Sequence, residues 1–235
     1  MTAKTVTDAM FVLADHEKAK FLQRFFKTGK EEYAHGDIFW GIKVPETRVI
    51  AKVNKNMPLF EIEKILKSPI HEVRLCGLFI LIEQFKKGNE TDKKIIVDYY
   101  LTNTQYINNW DLVDLSCYKI VGNYLLDKPR DILYSLAKSQ NIWEQRIAIV
   151  STWAFIRQND FKDTLSISEL LVDNPHTLIQ KAVGWMLREV SKRNEFEMLQ
   201  FIEKHYFNIS RTTLRYAIEK LPEYQRKNIL QGNFQ

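Results

Sequence analysis

Four long apolar helical runs in this chain open on a basic residue: 74-RLCGLFIL, 146-RIAIVSTW, 181-KAVGWMLR and 215-RYAIEKLP. Two places on, each carries a small or β-branched residue: Cys76, Ala148, Val183 or Ala217. The basic residues lie 72, 35 and 34 positions apart, so the first gap is about twice the others. The missing member falls near 110, where 114-DLSCYKIV fits with Ser116 in the small slot. A period of this length is one helical hairpin, which cannot bury its apolar face alone and must stack on its neighbours.

The expected fold is therefore all-α, an α-solenoid of HEAT-like antiparallel helix pairs. Such stacks curve, and the basic slots are expected to line a concave groove. Helical periodicity runs from end to end and no run alternates for long enough to require a strand. Helices are expected at 4–13, 16–27, 45–55, 58–67, 70–86, 91–101, 109–126, 129–138, 141–157, 160–172, 175–192, 194–206, 210–220 and 222–230. All six prolines sit where a first helical turn tolerates them. The segment 28-TGKEEYAHGD-37 is the clearest loop.

Eight glycines and six prolines are too few for long linkers, and residues 1–235 read as a single domain. The net charge of +5 favours a polyanionic partner only if the basic residues are well placed. Cys76 and Cys117 each lie inside an apolar helical pattern and read as core thiols of a reducing compartment. The N-terminal segment lacks the apolar stretch of a signal peptide, and the longest apolar run, 76-CGLFILI-82, is far short of a membrane span. A cytoplasmic monomer with no membrane association is expected.

Within this basic chain, 108-NNWDLVD-114 places two acids beside a tryptophan at an expected helix start. Helix capping explains one: Asn108 as N-cap with Asp111 three residues on. Trp110 and Asp114, four apart, share a face. Asp114 occupies the slot held by Arg74, Arg146, Lys181 and Arg215 elsewhere, one acid in a row of cations. Two readings follow. The row is a ladder of ion pairs between repeats, with Asp114 meeting Arg146, or it is a groove that binds phosphates while its carboxylate meets something positive. Trp185, four residues after Lys181, lies on the face that matches Trp110.

Other catalytic equipment is absent from the sequence. No G-x-G, G-x-x-x-x-G-K or G-x-S-x-G occurs, and His71-Glu72 is followed by leucine at 75, so it is no H-E-x-x-H site. His35 and His205 read as surface residues, His71 and His176 as helix-start residues. No metal or nucleotide cofactor is indicated.

Taken in order, GIKVPETRVIAK (41–52), SPIHEVRLCGLFIL (68–81), NNWDLVDLSCYKIVG (108–122), NIWEQRIAIVSTWAFIR (141–157), QKAVGWMLREV (180–190) and RTTLRYAIEKLP (211–222) cover almost the whole chain. This set resembles the AlkD-like DNA alkylation repair family of DNA glycosylases. The resemblance implies a basic concavity that binds duplex DNA and the removal of N3- or N7-alkylated, positively charged purines such as 3-methyladenine and 7-methylguanine. It implies Asp114, Trp110, Trp185 and Arg146 as the catalytic set, with Arg74, Arg146, Lys181 and Arg215 on DNA phosphates. Asn109 stands where some members have a second tryptophan, and an N-terminal tyrosine of some members falls loosely on Phe25. A non-catalytic stack that binds DNA structure, and a protein–protein scaffold, are the competing readings.

Overall fold

The computed structural model describes residues 1–234. Fifteen α-helices are present among them, and the one β contact is an isolated parallel bridge between Ile38 and Ile70. The described chain divides into two compact units, one of residues 1–116 and one beginning at Cys117.

The first unit contains α1 (Ala3–Phe11), α2 (His16–Gln23), α3 (Val44–Val53), α4 (Leu59–Leu66), α5 (His71–Lys87), α6 (Glu90–Thr102) and the first turns of α7 (Trp110–Cys117). Its axis is α5, which packs on α3, α4 and α6. Every residue from His71 to Ile82 is buried, so the first three turns of this helix have no solvent face to carry polar residues. That makes the charged triplet at its start, His71, Glu72 and Arg74, conspicuous. Gly77 lets α4 approach closely: a Cβ there would lie 2.9 Å from Ile65 Cγ2.

The loop between α2 and α3 folds back onto the start of α5. Ile38 N donates to Pro69 O at 3.1 Å and His71 N donates to Ile38 O at 2.8 Å. The buried Glu72 carboxylate then accepts from the backbone amides of Trp40, Gly41 and Ile42 at 2.8–3.3 Å. Gly41 has φ +76°, and a Cβ there would lie 2.3 Å from Asp15 O. Only glycine suits that turn.

The second unit contains α8 (Asp131–Ala137), α9 (Ile142–Ser151), α10 (Trp153–Ile156), α11 (Lys162–Leu170), α12 (Thr177–Ser191), α13 (Glu195–His205), α14 (Arg211–Ala217) and α15 (Glu223–Leu230). Here α12 is central, packing on α9, α13 and α14. Gly184 brings α12 against α14, where a Cβ would lie 2.6 Å from Thr213 O.

Most expected helices appear within one to three residues of their predicted ends. Two do not run through. The expected 109–126 helix stops at Cys117, turns through a π segment at Tyr118–Gly122 and ends in a 3-10 turn at Leu125–Asp127. Gly122 lies against α9, where a Cβ would be 2.3 Å from Ser151 O. The expected 141–157 helix breaks at Thr152, whose hydroxyl donates back to Ile149 O at 2.7 Å and competes with the helical ladder. Cys76 and Cys117 are both buried in the core, as expected. His205 is not a surface residue: it is buried under Phe201, with its Nε2 3.6 Å from Glu169. No helix among the described residues is long and apolar enough to cross a membrane.

Candidate active site

At the start of α7 the chain departs from simple capping. Asn109 Oδ1 accepts from the Trp110 amide at 2.8 Å, and Asn108 Oδ1 accepts from the Arg74 guanidinium at 3.2 Å. Asp111, expected as the capping acid, instead accepts from His71 Nε2 at 2.8 Å. The other imidazole nitrogen, Nδ1, meets Asp37 Oδ2 at 3.3 Å. Arg74 donates to Asp37 Oδ1 at 2.7 Å, and Asn109 Nδ2 donates to Asp37 Oδ2 at 3.1 Å. The result is a buried cluster of two carboxylates, one guanidinium and one imidazole.

These charges set one another. Burial pushes the Asp37 carboxyl up, but the His71 hydrogen bond and the Arg74 charge outweigh it and hold the group below its ordinary value. Burial likewise favours neutral His71, yet the Asp111 carboxylate, then the Asp37 hydrogen bond, raise it to about 9. The imidazole is therefore a cation at neutral pH, both nitrogens donate, and the cluster carries no net charge.

Above this cluster, within the first unit, lies a cavity of about 350 Å³. Phe25, Phe26, Phe39, Trp110, Asp114 and Leu115 are among its walls. The rings are ordered: Phe26 stacks on Phe39 at 4.7 Å and on Trp110 at 5.2 Å with only 16° between planes. The Tyr33 hydroxyl accepts a hydrogen bond from the Trp110 indole, and burial pushes its phenol above its ordinary value. Trp110 and Asp114 are both half-buried. Glu72 and Asp111 also line this cavity, the first held by backbone amides and the second by His71, and an apolar aromatic chamber with Asp114 on its wall suits a planar, cationic or electron-poor group.

The other expected site residues distribute as follows. Arg74 is only 4% exposed, and its guanidinium is held by Asp37, Asn108 and Ser68 O. Its guanidinium, expected on a DNA phosphate, is here enclosed by the cluster it neutralises. In the second unit, Arg146 is 6% exposed and donates to Leu178 O at 2.5 Å. Lys181 is half-buried, with its Nζ 6.0 Å above the Tyr216 ring, and Arg215 is exposed. Trp185 is half-buried and meets Trp153 edge-on at 5.3 Å, with Tyr118 4.5 Å beyond.

Tyr33, Phe26, Asp37, His71 and Trp153 have no counterpart among the sequence-derived site residues. The one local signal was the charged triplet at the start of α5, ahead of the apolar run at 75–82. Phe25, where a family tyrosine was loosely expected, is an exposed wall residue, and Tyr33 is the tyrosine that reaches Trp110.

The family model described as DNA alkylation repair enzyme matches residues 6–221. The chain belongs to that family. A solved structure from Enterococcus faecalis, described as a predicted DNA alkylation repair enzyme, superposes with a TM-score of 0.70. It is 18% identical, and the match covers 89% of this chain and 97% of that one. At this identity it shows a shared fold, which is that of an α-solenoid. No curated protein sequence matches the chain. For a DNA alkylation repair enzyme, an aromatic chamber with a carboxylate on its wall is a chemically apt feature.

Proposed function

We propose that this family member is a DNA glycosylase that hydrolyses the N-glycosidic bond of N3- or N7-alkylated purines in duplex DNA. The observation that carries the reading is Asp114 on the wall of the aromatic cavity, one helical turn from Trp110 and beside it on the same face.

Alkylation at N3 or N7 makes the purine a cation, so it departs with the bonding electron pair and becomes neutral without a proton from a general acid. A single reacting carboxylate, here Asp114, then suffices where sugar hydrolases use a pair; Glu72 and Asp111, also on the wall, are engaged by backbone amides and by His71. As the bond breaks, positive charge moves onto the deoxyribose. Asp114 stabilises that oxocarbenium-like state and orients water toward the anomeric carbon. Trp110, backed by Phe26 and tethered by Tyr33, offers a ring face to the cationic nucleotide, worth ~0.5–2 kcal/mol. Lys181 and Arg215, the slot cations with accessible side chains, hold backbone phosphates. Trp185, as the second indole, and Arg146 are assigned catalytic-centre roles on the family resemblance alone.

The test is chromatographic. Incubated with methylated duplex, the protein should release free 7-methylguanine or 3-methyladenine, and with uracil-containing duplex it should release nothing. Binding of both duplexes with release from neither would replace this reading with a non-catalytic DNA binder.

A further inference from the structure

The cluster beneath the cavity takes no part in the chemistry just described, yet it touches the element that carries it. Asp111 lies one residue after Trp110 and three before Asp114, in the same turns of α7. Its carboxylate is fixed by His71, the first residue of α5. Asp37, on the loop between α2 and α3, takes the opposite edge of the same ring and also receives Asn109, the residue before α7. The imidazole is stacked on Phe39 at 4.7 Å and lies 5.0 Å from Phe26, the ring that backs Trp110. One side chain thus ties together a loop, the central helix and the helix bearing the reactive groups.

We propose that His71, clamped between Asp37 and Asp111, is a positioning residue that sets the first turn of α7 and with it the aim of Trp110 and Asp114 into the cavity. What Asp114 does there rests on the glycosylase reading; the clamp does not. Hydrophobic packing of similar volume often stabilises as well as a buried ion cluster does. Directional bonds to two carboxylates add something packing lacks, a defined orientation for α7. A neutral imidazole has one N–H, so on losing its proton His71 can serve only one of the two carboxylates. The charged groups around it are Asp37 from the loop, Asp111 from α7 and Arg74 from its own helix. Glu72, Lys43 and Asp114 line the same cavity, with Glu72 already engaged by three backbone amides. These neighbours put the change near pH 9. Tyr33, pushed above its ordinary value, titrates later.

The experiment follows the His71 imidazole and the Trp110 indole N–H by nitrogen NMR from neutral to alkaline pH. Single-turnover base release is measured across the same range, in wild type and in Asp37→Asn. The clamp predicts that the indole resonance and the release rate both change with the His71 midpoint. In Asp37→Asn, which removes one of the two flanking charges, all three midpoints should move down together by about one unit. An indole signal that stays flat while His71 titrates would overturn the proposal. So would an Asp37→Asn rate lowered by the same factor at every pH with its midpoint unmoved. Should Asp37→Asn fail to fold, agreement or disagreement of the wild-type midpoints decides the matter. Should no base be released at any pH, the glycosylase reading falls and the two NMR midpoints alone still judge the clamp.

Discussion

Arg74 and Arg215 occupy equivalent slots in the repeat, yet their surroundings give them opposite work. Arg74 neutralises Asp37 in the interior, whereas Arg215 is exposed. Arg215→Ala should weaken duplex binding and flatten its salt dependence by about one unit of slope. Arg74→Ala should leave that slope unchanged and destabilise the fold by about 3–5 kcal/mol, because it strands a buried carboxylate. Salt titrations of DNA affinity beside denaturant melts separate the two. The spacing of the basic residues is plain in the sequence. Which of them face solvent is not, because the answer for Arg74 depends on Asp37, which sits in a loop 37 residues away. Asp111 shows the same thing: its position three residues after Asn108 fits capping, and only the fold brings in His71 as the stronger partner.

At the scale of elements, periodicity fixes the helices and leaves their interruptions hidden. Expected at 175–192, α12 runs Thr177–Ser191, since its apolar face repeats without a break. The π turn at Tyr118–Gly122 is not written locally; it accompanies close packing on Ser151. Two predictions belong here. Gly41→Ala forces a positive φ on a residue with a Cβ and drives that Cβ into Asp15 O. It should cost about 1–3 kcal/mol or more in a denaturant melt. The other concerns pH. The His71 pKa rises from 6.5 in the unfolded chain to about 9 in the fold. Its contribution is fully present below 6.5 and is lost as pH climbs through 9, on the order of 3 kcal/mol. Asp37, held low, acts oppositely, stabilising above its unfolded value and losing that effect as pH falls through its folded one. Thermal melts should therefore decline on both flanks, and His71→Gln should remove the alkaline decline.

For the molecule as a whole, the repeat of about 35 residues suffices to predict an all-helical solenoid, because each hairpin needs a neighbour to bury its apolar face. The carboxylate in the row of cations is also legible, and Asp114 does reach a cavity wall. What the sequence does not disclose is the chamber itself. Phe26, Phe39 and Tyr33 come from a segment read only as a helix end and a loop, and no spacing rule links them to Trp110. The net charge of +5 fits a DNA partner without choosing the chemistry.

That chemistry rests on Asp114, and one paired measurement reaches it most directly: single-turnover release of 7-methylguanine from methylated duplex by wild type and Asp114→Asn, with DNA affinity determined for both. The account predicts unchanged affinity and a rate lower by orders of magnitude in the variant. Equal rates in the two proteins would contradict it.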